Sequence, residues 1–515
     1  MSSTDAVRLL HQATFGPSAE GIDEVMTLGV DGWIDAQFAA EPSLTAPYVK
    51  AHSSGSLGTT RHHIWWKNAM EGSDQLRQRM AFAWSQIFVV SDIDYELAIA
   101  QYAVSDYYDM LATDGLGSFR ELLEKVTLHP VMGIYLSMLR NERADPDRNV
   151  RPDENFAREV LQLFTIGLYE LDVDGTIRTD EFGPIPTFGQ TTIEEFAKVF
   201  TGWNLADTDR WISNDLTAYD KESPMQPVEE YHDQSAKALL NGTVLPAGQD
   251  ARSDLGQALD NIVAHPNVGP FVSRLLIQRL VTSNPSPAYI ERVAAAFDDD
   301  GSGNRGNIAA VARAILVDDE ARTGHLTAPD TFGKIKEPAM RLTQIWRAFD
   351  AVPGAEADGV YRPYAKAISQ IEDVLGQAPM RSPSVFNFFQ PDHRADPDAD
   401  LVAPEAQILA EIDLASTNNM LFTQIYSDNN RRSDRANIAT INIDREMALA
   451  SDVDGLIDHL DVLLMAGQLP AAHKRAIADH ITATHSDTTD PEVLVDRCLD
   501  AIFCVVGSPF HLVQK

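Results

Sequence analysis

Apolar residues return at steps of three and four along almost the whole chain, and no stretch alternates long enough to make a central sheet. That period is the signature of helices with one buried face, so the architecture expected is all-α. The punctuation agrees. Ser18 stands as an N-cap before AEGIDEVMTLG, Gly29 is the expected stop, and Asp31 caps GWIDAQFAA. Ser118 and Glu121 form a capping box for FRELLEKV. Ser286 with Pro287 opens AYIERVAAAF, where a first-turn proline loses no needed donor. Asn307 starts IAAVARAILVDDEAR, and Thr489, Asp490 and Pro491 open the final helix. LYELDVDGTIRTDEFGPIPTFG is the best hairpin candidate, turning at Asp174-Gly175.

A chain of 515 residues, 44% of them hydrophobic, is ample to bury a core. No internal repeat breaks it up. Polar loops fall at 140–153, 204–234, 380–404 and 427–436, and loops of that length are functional or poorly ordered. The expectation is a single large helical domain over 1–515, or one with two lobes. Its helices would pack irregularly or around a toroid, with at most a small hairpin.

Acidic residues outnumber Lys and Arg by 76 to 41, a formal charge of −35. Nucleic acid and anionic lipid both need basic surface, so neither is expected as a partner, although a local basic pocket can still hold an anion. No run of about 18 apolar residues exists to span a membrane. MSSTDAVRLLHQATFGP lacks the basic and apolar regions of a signal peptide, so the protein is expected to be cytoplasmic or to have lost a leader. Cys498 and Cys504 would lie about 9 Å apart along one helix, beyond disulfide reach, and read as buried thiols.

PDENFAREVLQLFTIGLYEL, residues 152–171, concentrates the polar chemistry. On a helical wheel Glu154, Asn155, Arg158, Glu159 and Gln162 share one arc of about 140°. Phe156, Val160, Leu161, Leu163 and Phe164 fill the other side. Glu154–Arg158 and Asn155–Glu159 are each four apart and can touch. A surface helix with a weak ion pair has this pattern too. The amide-rich face and the irregular loop before it favour a site.

A second polar set can meet the first. TLHPVMGIYLSMLRN puts His129 before Pro130, with Tyr135 and Asn141 expected on the following helix. TTIEEFAKVFTGWN carries Glu194 and Glu195 in its first turn and Trp203 past its end; Thr191 with Glu194, or Thr192 with Glu195, reads as a capping box. EYHDQSAK carries His232, Asp233 and Lys237.

LLHQATFGPSAEGIDEVMTLGVDGWIDAQF, LRQRMAFAWSQIFVVSD, LHPVMGIYLSML, PDENFAREVLQLFTIGL, FAKVFTGW, SPSVFNFFQPD and SPFHLVQK resemble, in this order, the bacterial domain-of-unknown-function 1800 family. The resemblance implies an exported protein, periplasmic or secreted, with cytoplasmic as the alternative. It also implies a protein partner related to sulfatases and alkaline phosphatases. The family's strongest motif maps onto Asp153, Glu154, Asn155, Phe156, Ala157, Arg158 and Glu159. Its His-Pro maps onto His129 and Pro130, and its Thr-Gly-Trp onto Thr201, Gly202 and Trp203. Two histidines common in the family are replaced here by Ser85 and Ile87, and a third by Phe164.

No metal is therefore expected on those histidines, and no cofactor is expected. A calcium ion is left open in FDDDGSGNRGN or DVDGTIRTDEF, but the first has Ala309 where a bidentate Glu belongs and the second has Ile177 in place of glycine. Both read as turns. Zinc, Walker, nucleophile-elbow and dinucleotide signatures are all missing. SPSVFNFFQPDHRADPDADLVAPEAQI adds Asn387, His393 and Glu405, with Phe386, Phe388 and Phe389 read as core or as the wall of a sugar pocket.

The function expected is acid–base chemistry on an extracellular polymer, a polysaccharide above all, by a hydrolase or lyase. Glu159 is the first carboxyl, Arg158 or Asn155 orients it, and His129 or His232 is its partner. Glu154, Asn155, Gln162, Trp203 and Asn387 would bind substrate. The alternative is a non-enzymatic scaffold or maturation partner of another exported protein, with the polar stripe as a buried network.

Overall fold

Helix accounts for 55% of the chain, well above the ~30–35% usual in soluble proteins, as the capped periodic segments predict. The structure, a computed structural model, describes residues 1–51, 57–208, 210–211, 220–352, 374–426 and 439–515. The loop expected at 427–436 and part of that at 204–234 lie outside the described residues.

The caps form largely as read. Ser18 Oγ accepts from the Gly21 amide (3.1 Å), and Ser286 Oγ from the Tyr289 amide (3.2 Å) ahead of Pro287–Asp298. Asn307 caps Ile308–Val317, and Asp490 caps Pro491–Val506. Ser118 Oγ accepts from Glu121 N at 3.4 Å, which is half of the expected box.

Gly29 is the expected stop: at φ +72°, a conformation open to glycine, it leaves helical geometry, and the span Ala19–Ala39 is two helices that meet there at a kink. Three details differ. Asn307 does not start one long helix: the first stops at Val317, and Asp318 caps a second, Asp319–Thr327. Neither Thr191 nor Thr192 is a cap, because Gln190–Val199 begins one residue earlier, behind Gly189. The helix after His129 ends at Tyr135, so Asn141 lies beyond it.

Helices stack as sequence neighbours and across the chain. Val268–Leu280 packs on Pro287–Asp298, which packs on Ile308–Val317. Ser3–Ala13 packs both on the helix from Ala19 and on Val453–Met465, so residues from opposite ends of the sequence share one core. That core is a single cluster running from Ala6 to Val506, with Trp33, Trp66, Trp84, Trp203 and Trp346 fully enclosed.

The described strands are two residues long and pair antiparallel. Thr179–Asp180 faces Gly183–Pro184, Trp203–Asn204 faces Gln226–Pro227, and Lys237–Ala238 faces Val244–Leu245. Lys334–Ile335 pairs with Val513–Gln514, bringing distant segments side by side. The expected hairpin is present: Leu171 bridges Ile177 across a turn in which Gly175 has φ +79°. No described helix is long and apolar enough to cross a membrane.

Candidate functional site

The stretch that drew attention folds as the helix Asn155–Gln162, packed on Gln190–Val199. Its polar arc divides by depth. Asn155 is exposed, Glu154, Arg158 and Gln162 are half-buried, and Glu159 is buried at 6% exposure. Glu154 Oε2 accepts from Arg158 Nη2 and from Gln190 Nε2, both at 2.9 Å. Arg158 is thus engaged with the glutamate one turn before it, the pair that four-residue spacing predicts. Asn155 makes no side-chain bond to Glu159; its amide donates to Asp153 Oδ1 at 2.8 Å.

Glu159 is left in an unusual state. Its Oε2 is buried with no hydrogen-bond partner. Burial pushes the carboxyl above its ordinary range, against the opposing pull of Arg158.

Each of the two histidines is engaged with partners of its own. His129 is an N-cap: its Nδ1 accepts from the Val131 amide (3.2 Å) and its Nε2 faces Asp106 Oδ2 (3.3 Å). His232 has no exposed surface. Nδ1 lies 3.0 Å from the Thr201 carbonyl oxygen and Nε2 3.0 Å from Asp254 Oδ2. Asp254 also accepts from Lys237 Nζ and Gln249 Nε2, both at 2.6 Å. Burial would raise this carboxyl, but hydrogen bonds from His232, Lys237 and Gln249 outweigh it and hold the pKa below the usual value. Among the described residues, no hydrogen bond or ion pair joins Glu159 to either histidine.

Gly202 explains how the Thr-Gly-Trp segment closes on this network. At φ +84°, a Cβ there would stand 2.9 Å from the His232 backbone nitrogen. Trp203 is fully buried in the next strand, with Nε1 unpartnered and the Arg252 guanidinium 5.7 Å from its ring.

The WSQIF stretch and SPSVFNFFQPD meet. Ser85, Gln86, Asn387 and Phe388 line one crevice with no room for a water molecule. Asn387 sits at φ +65° with its Nδ2 unpartnered. Phe388 and Phe389 are buried, as expected of core, whereas Phe386 is exposed at 44%, its aromatic ring turned out of the segment that buries its neighbours. Phe164 lies edge-on to Phe88, ring centroids 5.4 Å apart, so apolar packing fills its position. Ser85 Oγ donates to the Phe82 carbonyl at 2.8 Å.

Gln86 is the residue that sequence reasoning missed. Its Nε2 donates to Glu337 Oε2 at 2.6 Å, and Gln377 Nε2 reaches the same oxygen at 2.6 Å. Lys334 Nζ stands 3.5 Å from Glu337 and 3.0 Å from Glu405, with every member of the group at most 5% exposed. GKIKEP, with three charges in four residues after a glycine, was the available signal.

The Asp-rich loops fold on themselves. Asp299 Oδ1 accepts from the Gly301 and Gly303 amides, and Asp300 from Ser302 N and Asn307 Nδ2. The described residues contain no group of three or more His, Cys, Asp or Glu placed to share a cation.

An open cavity of about 260 Å³ lies at the hairpin turn. Asp174, Gly175, Arg274, Asn284, Arg394 and Asp400 are among its walls. It offers guanidinium donors and carboxylate acceptors together, the mixture that a hydroxyl-rich ligand takes up.

Comparison with curated proteins and with solved structures returns no match. Residues 8–512, nearly the whole chain, match the family model described as protein of unknown function (DUF1800), and the chain belongs to that family.

Proposed function

We propose that the protein is an enzyme that uses Glu159 as a proton donor on an extracellular polymer, with a polysaccharide as the leading substrate class. One observation carries the reading: the carboxyl is buried, has an oxygen without a hydrogen-bond partner, and is held above the ordinary carboxylate range. A carboxyl whose burial raises its pKa holds its proton to higher pH than an exposed one and can deliver it to a leaving oxygen. Exposed Asn155 and half-buried Arg158 and Gln162 flank it with groups that bind hydroxyls. The same helix leads along the chain to the hairpin whose turn borders the 260 Å³ cavity. Export to the periplasm or beyond, and a sulfatase-related partner, belong to this reading through the family resemblance.

The test is turnover on a glycan panel with wild type and Glu159→Gln. The amide keeps the shape but cannot donate an acidic proton, so the variant should fold and lose activity. A variant that cleaves a glycan at the wild-type rate defeats the reading.

A second reading is a non-enzymatic scaffold or maturation partner. The observation favouring it is the engagement of both histidines, His129 as a helix cap and His232 in a sealed network. Co-purification with a co-expressed sulfatase-related protein, together with an inactive glycan screen, would select it.

A further inference from the structure

Three segments distant in sequence bring four basic side chains together beneath the surface. His11 comes from the first helix, Lys336 from the turn after Lys334–Ile335, Arg341 from the helix Pro338–Ala348, and His511 from the segment before Val513–Gln514. None is more than 3% exposed. The Lys336 backbone N–H donates to the Leu512 carbonyl at 2.8 Å, which sets Lys336 beside the segment that carries His511, and Arg341 reaches the Val506 carbonyl of the same end of the chain. Their charges act on one another, His11 and His511 each feeling Lys336, and Lys336 feeling Arg341.

Among the described residues, no carboxylate enters the group. Arg341 Nη2 donates to Asn418 Oδ1 (2.9 Å) and the Val506 carbonyl (3.2 Å), both neutral, while its Nε and Nη1 have no protein partner. The ring nitrogens of His11 and His511 make no well-formed hydrogen bond, although each ring leans toward one carbonyl, of Leu464 and Val506. The nearest acidic neighbour in sequence, Glu337, is engaged with Lys334, Gln86 and Gln377. Arg8, the remaining charge acting on His11, already has Asp5 at 3.2 Å.

Unpaired cations are costly to bury, and a neighbouring charge of the same sign raises the cost. Burial, with the repulsion between neighbours added, pulls Lys336 down to about 7 and both histidines well below their ordinary value. We propose that this cluster is a binding site for a small oxyanion of the phosphate or sulfate class, which supplies the negative charge that the described residues do not. A guanidinium and two imidazoles with unpartnered nitrogens, together with an ammonium, are donors of the kind that a tetrahedral oxyanion takes. The site is separate from Glu159 and does not depend on the enzymatic reading.

The experiment is a thermal melt at fixed pH and ionic strength with chloride exchanged stepwise for inorganic phosphate, sulfate or acetate. Wild type should gain a saturable rise of a few degrees in Tm with phosphate or sulfate, as a ligand bound only by the folded state requires. Lys336→Met should lose it and keep only the gradual, non-saturating salting effect. His511→Gln provides a milder variant should the first not fold, and it should weaken the half-saturation concentration several-fold. Dialysed wild-type protein, denatured and assayed by ion chromatography, should release close to one phosphate or sulfate per chain if the anion is taken up during folding. Equal saturable shifts in wild type and both variants overturn the site, as does a wild type with neither a saturable shift nor a released anion.

Discussion

Lys237 Nζ and Asp254 Oδ2 stand 2.6 Å apart with neither side chain more than 1% exposed. Removing one charge of a sealed pair strands the other. Asp254→Asn should therefore cost about 3–5 kcal/mol. The pH dependence follows from the lowered carboxyl. A depressed folded-state pKa stabilises the fold above the unfolded value, and that contribution is lost as pH falls toward the folded value. Wild-type Tm should thus fall on acidification below the ordinary aspartate range, and the variant should show less of that fall. Melts between neutral and acid pH check both.

His129 should behave as a cap. His129→Ala removes the acceptor for the Val131 amide and should cost about 0.5–2 kcal/mol in urea denaturation. His129→Asn should restore part of that. A full loss of turnover in both variants, with unchanged stability, would instead place the imidazole in the chemistry.

Glu159 should respond to pH with the opposite sign from Asp254. A raised folded-state pKa gives stability that is complete below the unfolded value and lost as pH rises through the folded one. Glu159→Gln removes the penalty of a buried charge, so its Tm should match wild type in acid and equal or exceed it at pH 8. A lower Tm at pH 8 would mean that the ionised carboxylate stabilises the fold.

The division between what could and could not be read follows from range. Ser18, Ser286, Asn307 and Asp490 were legible because a cap involves residues two or three apart. The Glu154–Arg158 pair was legible for the same reason. Burial of Glu159 inside a polar arc was not, since the covering elements come from elsewhere in the chain. His232 and Asp254 are 22 residues apart, and Gln86 and Glu337 are 251 apart. No local pattern announces such partners. Gly189 displacing both threonine caps is a local error: two acceptable caps lay one and two residues inside the true start.

The cysteines should be inert. Burial pushes the Cys498 thiol up to about 12 and raises Cys504 as well, and no disulfide links them. Thiolate is the reactive form, so labelling at pH 8 should be slow in the native protein and fast once unfolded. Rapid native labelling of Cys498 would contradict its burial.

The pairing of Lys334–Ile335 with Val513–Gln514 bears on how the chain reaches its fold. Gln514 also bonds the Leu280 carbonyl, 234 residues away, and Arg8 bonds the Ala466 carbonyl across 458. Closing loops of that size adds little to the equilibrium cost, since the entropy grows only with the logarithm of length. Its effect is on time: contacts of high sequence separation slow the search, while helices form in about a microsecond. In refolding from urea, far-UV helical signal should recover ahead of the near-UV signal of Trp33, Trp66 and Trp346, which are fully buried in the finished core.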